Sequence, residues 1–217
     1  MKYRAVFFDF DYTLGDATDA IVAGFTRGMT ELGWPVPDRE AVRGTVGQPL
    51  EEAYTRLTGD PDPEHQRRFR EAFASVARPM QARGVPLFPG AAELLRALHA
   101  QGVHVAVAST KQRPTLEKIL GAHGLLDVLD FVIGGDDVTA MKPAPECLFL
   151  GLNRLGLTPA DLLFCGDTVI DAATAQNAGC DFAAVLNGTT PAEGFAGWPC
   201  VHIAPDLYDL AKWLGIG

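Results

Sequence analysis

Between Lys2 and Lys111 the chain carries no lysine, and its 217 residues hold only five lysines against 13 arginines. Acidic residues outnumber basic ones, 27 to 18, for a formal net charge of -9. A nucleic-acid surface needs a basic face to neutralise phosphates, so the balance argues against that partner. Cysteine is also sparse: Cys147, Cys165, Cys180 and Cys200 form no C-x-x-C pair and show no metal-type spacing. Apolar runs stay well short of the ~20 residues of a membrane span. The opening MKYRAVFFDFD meets Asp9 too early for a secretory leader. These absences lead us to expect a soluble protein of the reducing cytoplasm, with no membrane and no nucleic acid among its partners.

What is present has two rhythms. Tyr3 to Phe10 is a near-continuous apolar run with aromatic and β-branched character, the pattern of a central parallel strand buried on both faces. From Thr18 the period becomes helical, with Ile21, Val22, Phe25, Met29 and Leu32 on one stripe that ends at Gly33. Short helical patterns follow at Asp38 to Val46 and Leu50 to Leu57. Asp62-Pro63 then has the cap-then-proline order that opens a longer helix carrying Phe69, Phe73, Val76 and Met80. After Pro89-Gly90, helices alternate with the strands VHVAVAS, FVIGG, LLFCGD, FAAVL and CVHIA. Such alternation predicts an α/β fold, a Rossmann-like parallel sheet with helices on both faces. The expected division is a discontinuous core, residues 1–15 and 84–217, and a small all-α insert, residues 16–83, placed after the first strand. An insert there sits over the carboxyl edge of the sheet, where open α/β folds bind ligands, so it is expected to act as a lid.

Several strands end in polar residues: Asp9 and Asp11, Ser109 and Thr110, then Gly166-Asp167-Thr168 with Asp171 four residues on. Singly, each also reads as a helix cap or turn residue. The pair Asp9 and Asp11 is different, because it extends from a run that predicts burial. Two adjacent carboxylates that both stay ionised there need a cation. Hard oxygen ligands without cysteine or clustered histidine favour Mg2+ over zinc or copper. Lys142, in MKPAPE, sits in a loop stiffened by two prolines in front of a helix, which makes a fixed position plausible.

In this order the motifs DFDYTL, VAVAST, KPAPE and GDTVID resemble those of the haloacid dehalogenase superfamily of phosphatases, and the resemblance covers the whole chain. The helical insert is similar to the cap of the phosphoglycolate phosphatase and β-phosphoglucomutase branch, and VGQPLEEAY resembles a cap segment that faces the substrate in that branch. The resemblance implies that Asp9 attacks the phosphoryl group and forms an aspartyl-phosphate. It implies that Asp11 serves as general acid and then general base. Mg2+ would be held by Asp9, the backbone carbonyl of Asp11, and Asp167. Ser109 and Lys142 would stabilise the phosphoryl oxygens, with Thr13, Thr110 and Asp171 in support. A small phosphorylated metabolite is the implied substrate, phosphoglycolate first among the guesses, and the state is a monomer or a homodimer.

Many relatives have glycine where this chain has Tyr12, so the loop is expected to be shaped differently or Tyr12 to line the entrance. Asp11 argues for phosphoryl transfer over dehalogenation. The missing cap lysine argues against a Schiff-base phosphonatase. No cysteine has an arginine six positions on, and no G-x-x-x-x-G-K-[ST] loop is present, so other phosphate chemistries lack their residues. A phosphosugar mutase shares the same core residues and stays open, as does a non-catalytic phospho-ligand-binding protein. A receiver-type signalling domain would lack the helical insert. Among nine arginines in the insert, Arg43 is the candidate contact for an anionic substrate tail.

Overall fold

Val6, Phe7 and Phe8 expose none of their surface, which a strand achieves only when both faces of its sheet are covered. In the computed structural model, which describes residues 2–216, these residues lie in β1 (Ala5–Phe8). The eight-residue apolar run thus contributes four residues to the strand. The reason is local: Phe10 O accepts hydrogen bonds from the amides of Thr13, Leu14 and Gly15, so the chain turns as soon as Asp9 has left the ladder.

The chain divides into two compact units, one reaching to Asp16 and resuming at Pro86, the other spanning Ala17–Val85. The second unit is all helical: α1 (Thr18–Leu32), α2 (Arg39–Arg43), α3 (Leu50–Thr58) and α4 (Pro63–Arg83). Asp62 caps α4 by accepting from the amides of Glu64 and His65, with Pro63 in the first turn. Gly24 and Gly28 let α1 lie close against α4, since a Cβ at either position would come within 2.6 Å of Phe73 or 2.5 Å of Phe69. Phe25 fills the same seam, its ring centroid 5.2 Å from that of Phe69 and 5.6 Å from that of Phe73. Buried Tyr54 donates to Asp60 Oδ2 and accepts from Trp34 Nε1, which satisfies its hydroxyl within the helical unit.

The first unit continues with α5 (Ala91–Ala100), β2 (His104–Ala108), α6 (Arg113–Ala122), β3 (Phe131–Ile133), α7 (Glu146–Leu155), β4 (Leu162–Gly166), α8 (Val169–Ala178), β5 (Asp181–Val185), β6 (Cys200–Ala204) and α9 (Leu207–Trp213). All strand pairings are parallel, and the spatial order is β3-β2-β1-β4-β5-β6. Alternate residues point to opposite faces. Ala5, Phe7, Ala106, Phe164 and Phe182 join one core with Leu148 and Leu152 of α7 and Ala172 and Ala175 of α8. Val6, Phe8, Val105 and Val107 point the other way and are equally buried. The expected doubly covered parallel sheet is what forms. Successive strands step outward from β1 through β2 to β3, then restart on its other side with β4. The switch point therefore lies between β1 and β4, at whose carboxyl ends such sheets bind ligands. No described helix is long and apolar enough to cross a membrane, and all four cysteines are free thiols.

Candidate active site

The switch point brings Asp9 and Asp167 together. Asp9 N donates to Cys165 O at 2.9 Å, holding the end of β1 against β4, and β4 runs directly into Asp167. Both side chains are buried, at 2% and 1% exposure. Thr13 Oγ1 donates to Asp167 Oδ1 at 3.2 Å, and Asn187 Nδ2 donates to Thr13 O. The turn after β1 is thereby pinned to the residues after β4 and β5. Tyr12, within that turn, has a φ of 61° and is 2% exposed. This is the left-handed conformation that glycine adopts freely and a tyrosine at a cost of about 1–2 kcal/mol.

α8 opens with a reciprocal cap: Thr168 Oγ1 accepts from Asp171 N, and Asp171 Oδ2 accepts from Thr168 N and Oγ1. The other oxygen, Asp171 Oδ1, accepts from Lys142 Nζ at 2.5 Å. Lys142 Nζ also lies 3.0 Å from Asp9 Oδ1 and over the Phe164 ring. Burial works to lower the Lys142 pKa, but Asp171 and Asp9 outweigh it and hold the ammonium charged. Burial likewise raises the Asp9 carboxyl to about 6, against the pull of Lys142 and with Asp171 and Asp11 adding to the rise. Asp167 is raised by burial first, then by Asp171 and Asp9.

Ser109 follows β2 and is 5% exposed; its amide donates to Ile133 O, and its Oγ accepts from Lys111 N. Thr110 is half-buried beside it. Arg43 belongs to the helical unit, where its guanidinium pairs with Glu40. The first unit thus gathers Asp9, Asp11, Thr13, Lys142, Asp167 and Asp171 around the switch point, and Arg43 is placed on the other unit.

Two further residues shape this cluster and carry no motif signal. Lys111 Nζ lies 3.0 Å from Asp11 Oδ2, with both side chains nearly buried. Gly188 lies so close to Asp167 that a Cβ would collide with its Oδ2 and stand 2.9 Å from its Cγ. Gly188→Ala is expected to lower stability by about 1–3 kcal/mol through this overpacking, read as a lower urea midpoint with unchanged far-ultraviolet circular dichroism. An unchanged midpoint would show that Asp167 has room to move aside.

Four carboxylates (Asp9, Asp11, Asp167 and Asp171) face two lysines, Lys111 and Lys142. With all four ionised, a surplus of two negative charges remains. Asp9 Oδ1, Asp11 Oδ1 and Asp167 Oδ2 are buried and accept no hydrogen bond; Asp9 Oδ1 meets Lys142 only as an ion pair. Orphaned buried oxygens around surplus negative charge are the donor set a divalent cation completes. Oxygens of Asp9, Asp167 and Asp171 lie within 4.8 Å of one another. Those of Asp171 are already engaged by Lys142 and Thr168, so of this group the carboxylates of Asp9 and Asp167 fit the cation best, while the Asp11 carboxylate pairs with Lys111.

The haloacid dehalogenase-like hydrolase family matches residues 6–185. The chain is 37% identical to a probable phosphatase, IndB, from Dickeya dadantii, over 80% of this chain and 77% of that protein. It is 32% identical to a phosphoglycolate phosphatase of Salmonella paratyphi A, over 98% and 93% of the two chains. Among solved structures, a protein from Bacteroides fragilis described as haloacid dehalogenase-like superposes with a TM-score of 0.93 at 36% identity, covering 96% of this chain and 100% of that one.

Proposed function

The chain belongs to the haloacid dehalogenase-like hydrolases, and from that premise we propose that it is a Mg2+-dependent phosphatase of small phosphate monoesters. The observation that carries this reading is the buried Asp9 carboxylate, paired with Lys142 and close to Asp167, with oxygens of Asp9, Asp11 and Asp167 left without a hydrogen bond. Phosphoglycolate leads the candidate substrates, because relatives covering most of this chain are phosphoglycolate phosphatases.

In the proposed reaction a carboxylate oxygen of Asp9 attacks phosphorus, and the bond from phosphorus to the alcohol oxygen breaks. Asp11 gives a proton to the departing alkoxide. Water then attacks phosphorus and the bond from phosphorus to Asp9 breaks, while Asp11, by then a carboxylate, takes a proton from that water; phosphate leaves, Asp9 is again a carboxylate and Asp11 again carries its proton. Lys142, held charged and fixed by Asp171, offsets negative charge gathering at phosphorus, and Ser109 donates to a phosphoryl oxygen. Asp9, the carbonyl of Asp11, and Asp167 would hold Mg2+, which when bound adds positive charge between nucleophile and phosphate. The core residues act only on the phosphoryl half of the ester. We assign choice of the other half to the helical unit, acting as a cap, with Arg43 its candidate contact for an anionic tail. Such a metabolite substrate suits a cytoplasmic enzyme.

A panel of phosphoglycolate, sugar phosphates, other monoesters and pyrophosphate, assayed for released phosphate with and without Mg2+, tests the proposal. Hydrolysis of monoesters that needs the cation is expected. Isomerised sugar phosphate without release of phosphate would make the protein a mutase, and turnover in excess chelator would remove the cation from the mechanism.

The shifted carboxyls add a pH test. Cations bind the deprotonated ligands, and Asp9 is raised to about 6 with Asp167 raised beside it. Protons therefore compete for the same oxygens, and Mg2+ affinity should weaken by about tenfold per pH unit below pH 6. Thermal-shift titrations with Mg2+ from pH 5 to 7.5 measure it. A flat affinity over that range would take Asp9 and Asp167 out of the ligand set.

A further inference from the structure

Lys111 belongs to none of the four motifs, yet the loop that carries it is built to hold it in place. Its carbonyl accepts from Gly135 N at 3.0 Å, and its amide donates to Ser109 Oγ at 3.4 Å. One residue before Lys111 and two after it, the loop meets the glycine pair that follows β3. A Cβ on Gly135 would stand 2.5 Å from Thr110 O, and one on Gly134 would collide with Arg113 N. The pair Gly134-Gly135 therefore gives residues 110 to 113 a seat that any side chain would fill. Asp136 Oδ1 accepts from Arg113 N and closes the seat from the far side.

From this fixed backbone the Lys111 ammonium reaches Asp11 Oδ2 at 3.0 Å, with side-chain exposures of 9% and 12%. Among the described residues no other side chain pairs with the Asp11 carboxylate. An exposed pair with these partners would have little hold on geometry. This one is shielded from solvent, where the attraction is stronger and the penalty for separating the charges larger. Lys142 is engaged elsewhere, by Asp9 and Asp171, so the two lysines divide the carboxylates between them.

We propose that Lys111 is the positioning residue for Asp11, holding its carboxyl where it meets the oxygen of the departing alcohol. The proposal rests on the assignment of Asp11 as the acid that protonates that oxygen. Lys111 itself exchanges no proton and touches no reacting atom. Its loss leaves the attack by Asp9 intact and lets the Asp11 side chain wander, and a misplacement of ~1 Å is enough to cost about a hundredfold.

Leaving-group dependence separates this role from a structural one. A departing alkoxide needs a proton, whereas p-nitrophenolate leaves without one. Full-length wild type, Lys111→Met, Lys111→Arg and Asp11→Asn are compared by kcat/KM, which reports events through departure of the alcohol. The substrates are the best alkyl phosphate of the panel and p-nitrophenyl phosphate. Each ratio is taken on one sample, so a variant that folds in part still reports it. We expect Lys111→Met to lower kcat/KM about 10- to 100-fold on the alkyl ester and less than about 3-fold on the aryl ester. Asp11→Asn should show the same selectivity more strongly, and Lys111→Arg should recover most of the ratio. Equal losses on both esters, or no loss, in Lys111→Met alongside a selective Asp11→Asn would overturn the role of Lys111 and leave that of Asp11 standing. An unselective Asp11→Asn would overturn the assignment of Asp11, and this inference with it.

Discussion

Asp9→Asn is expected to reduce phosphate release by at least about a thousandfold and, without Mg2+, to make the protein more stable. The substitution preserves shape and removes the carboxylate proposed as nucleophile. It also removes a buried charge. The Asp9 carboxyl is raised by burial from 3.8 to about 6 despite Lys142, so ionising it at pH 7.5 costs on the order of 3 kcal/mol relative to the unfolded chain. The sign follows from the raised value: the native state holds its proton more tightly, and stability falls as pH climbs from about 4 to about 6. An asparagine has no such proton to lose, while its amide oxygen still faces the Lys142 ammonium. The melting temperature in chelator should therefore rise at pH 7.5 and change little at pH 4. The increment on adding Mg2+ should shrink, because one of the two proposed ligand side chains no longer carries charge. Retention of more than a hundredth of the activity would exclude Asp9 as the nucleophile. A lower melting temperature in chelator would show that pairing with Lys142 outweighs burial.

The same burial explains why Asp9 and Asp11 stand out in the bare sequence. Two carboxylates at the end of an apolar run have no inexpensive structural explanation, and β1 indeed delivers Asp9 into a site with 2% exposure. The helix after Asp62-Pro63 and the alternation beyond Gly90 were legible for a related reason: caps and periodicity are local, and local patterns predict local structure. Lys111 and Gly188 carry no such signal. Lys111 matters because a glycine pair 23 residues later seats its loop, and Gly188 because Asp167, 21 residues earlier, fills the space beside it. Those facts arise from the order of strands in the sheet, and no spacing rule contains them. Tyr12 lies between the two cases. Its type marks a departure from glycine, but only the backbone reveals that it keeps a left-handed φ and buries its ring. The length of β1 was overread because apolar character continues through Phe10, while the hydrogen bonds turn inward on Phe10 O.

Lys142→Met should produce the opposite stability pattern to Asp9→Asn. Lys142 is the ammonium that faces both Asp9 and Asp171, at 3% side-chain exposure. Taking one partner from a buried ion cluster costs about 3–5 kcal/mol, because the remaining charges stay desolvated and unpaired. That loss should appear as a lower urea midpoint at pH 7.5 in chelator, together with a fall in turnover of about a hundredfold or more from the lost charge at the phosphoryl group. The deficit should depend on pH through the carboxyls and not through the lysine. The Lys142 pKa is raised above its ordinary 10.5, so its own contribution is fully present below that value and flat between pH 4 and 8. Asp9 loses the attraction that pulls its pKa down, so in the variant it takes up its proton at a still higher pH. As pH falls toward 5, protonation removes part of the unpaired charge and the gap to wild type narrows. Mg2+ meets a surplus of three negative charges where wild type presents two, so its stabilising increment should grow in Lys142→Met, whereas in Asp9→Asn it shrinks. A midpoint equal to wild type at pH 7.5, or a deficit that is the same at pH 5 and pH 7.5, would mean that Lys142 does not carry the charge balance of the site.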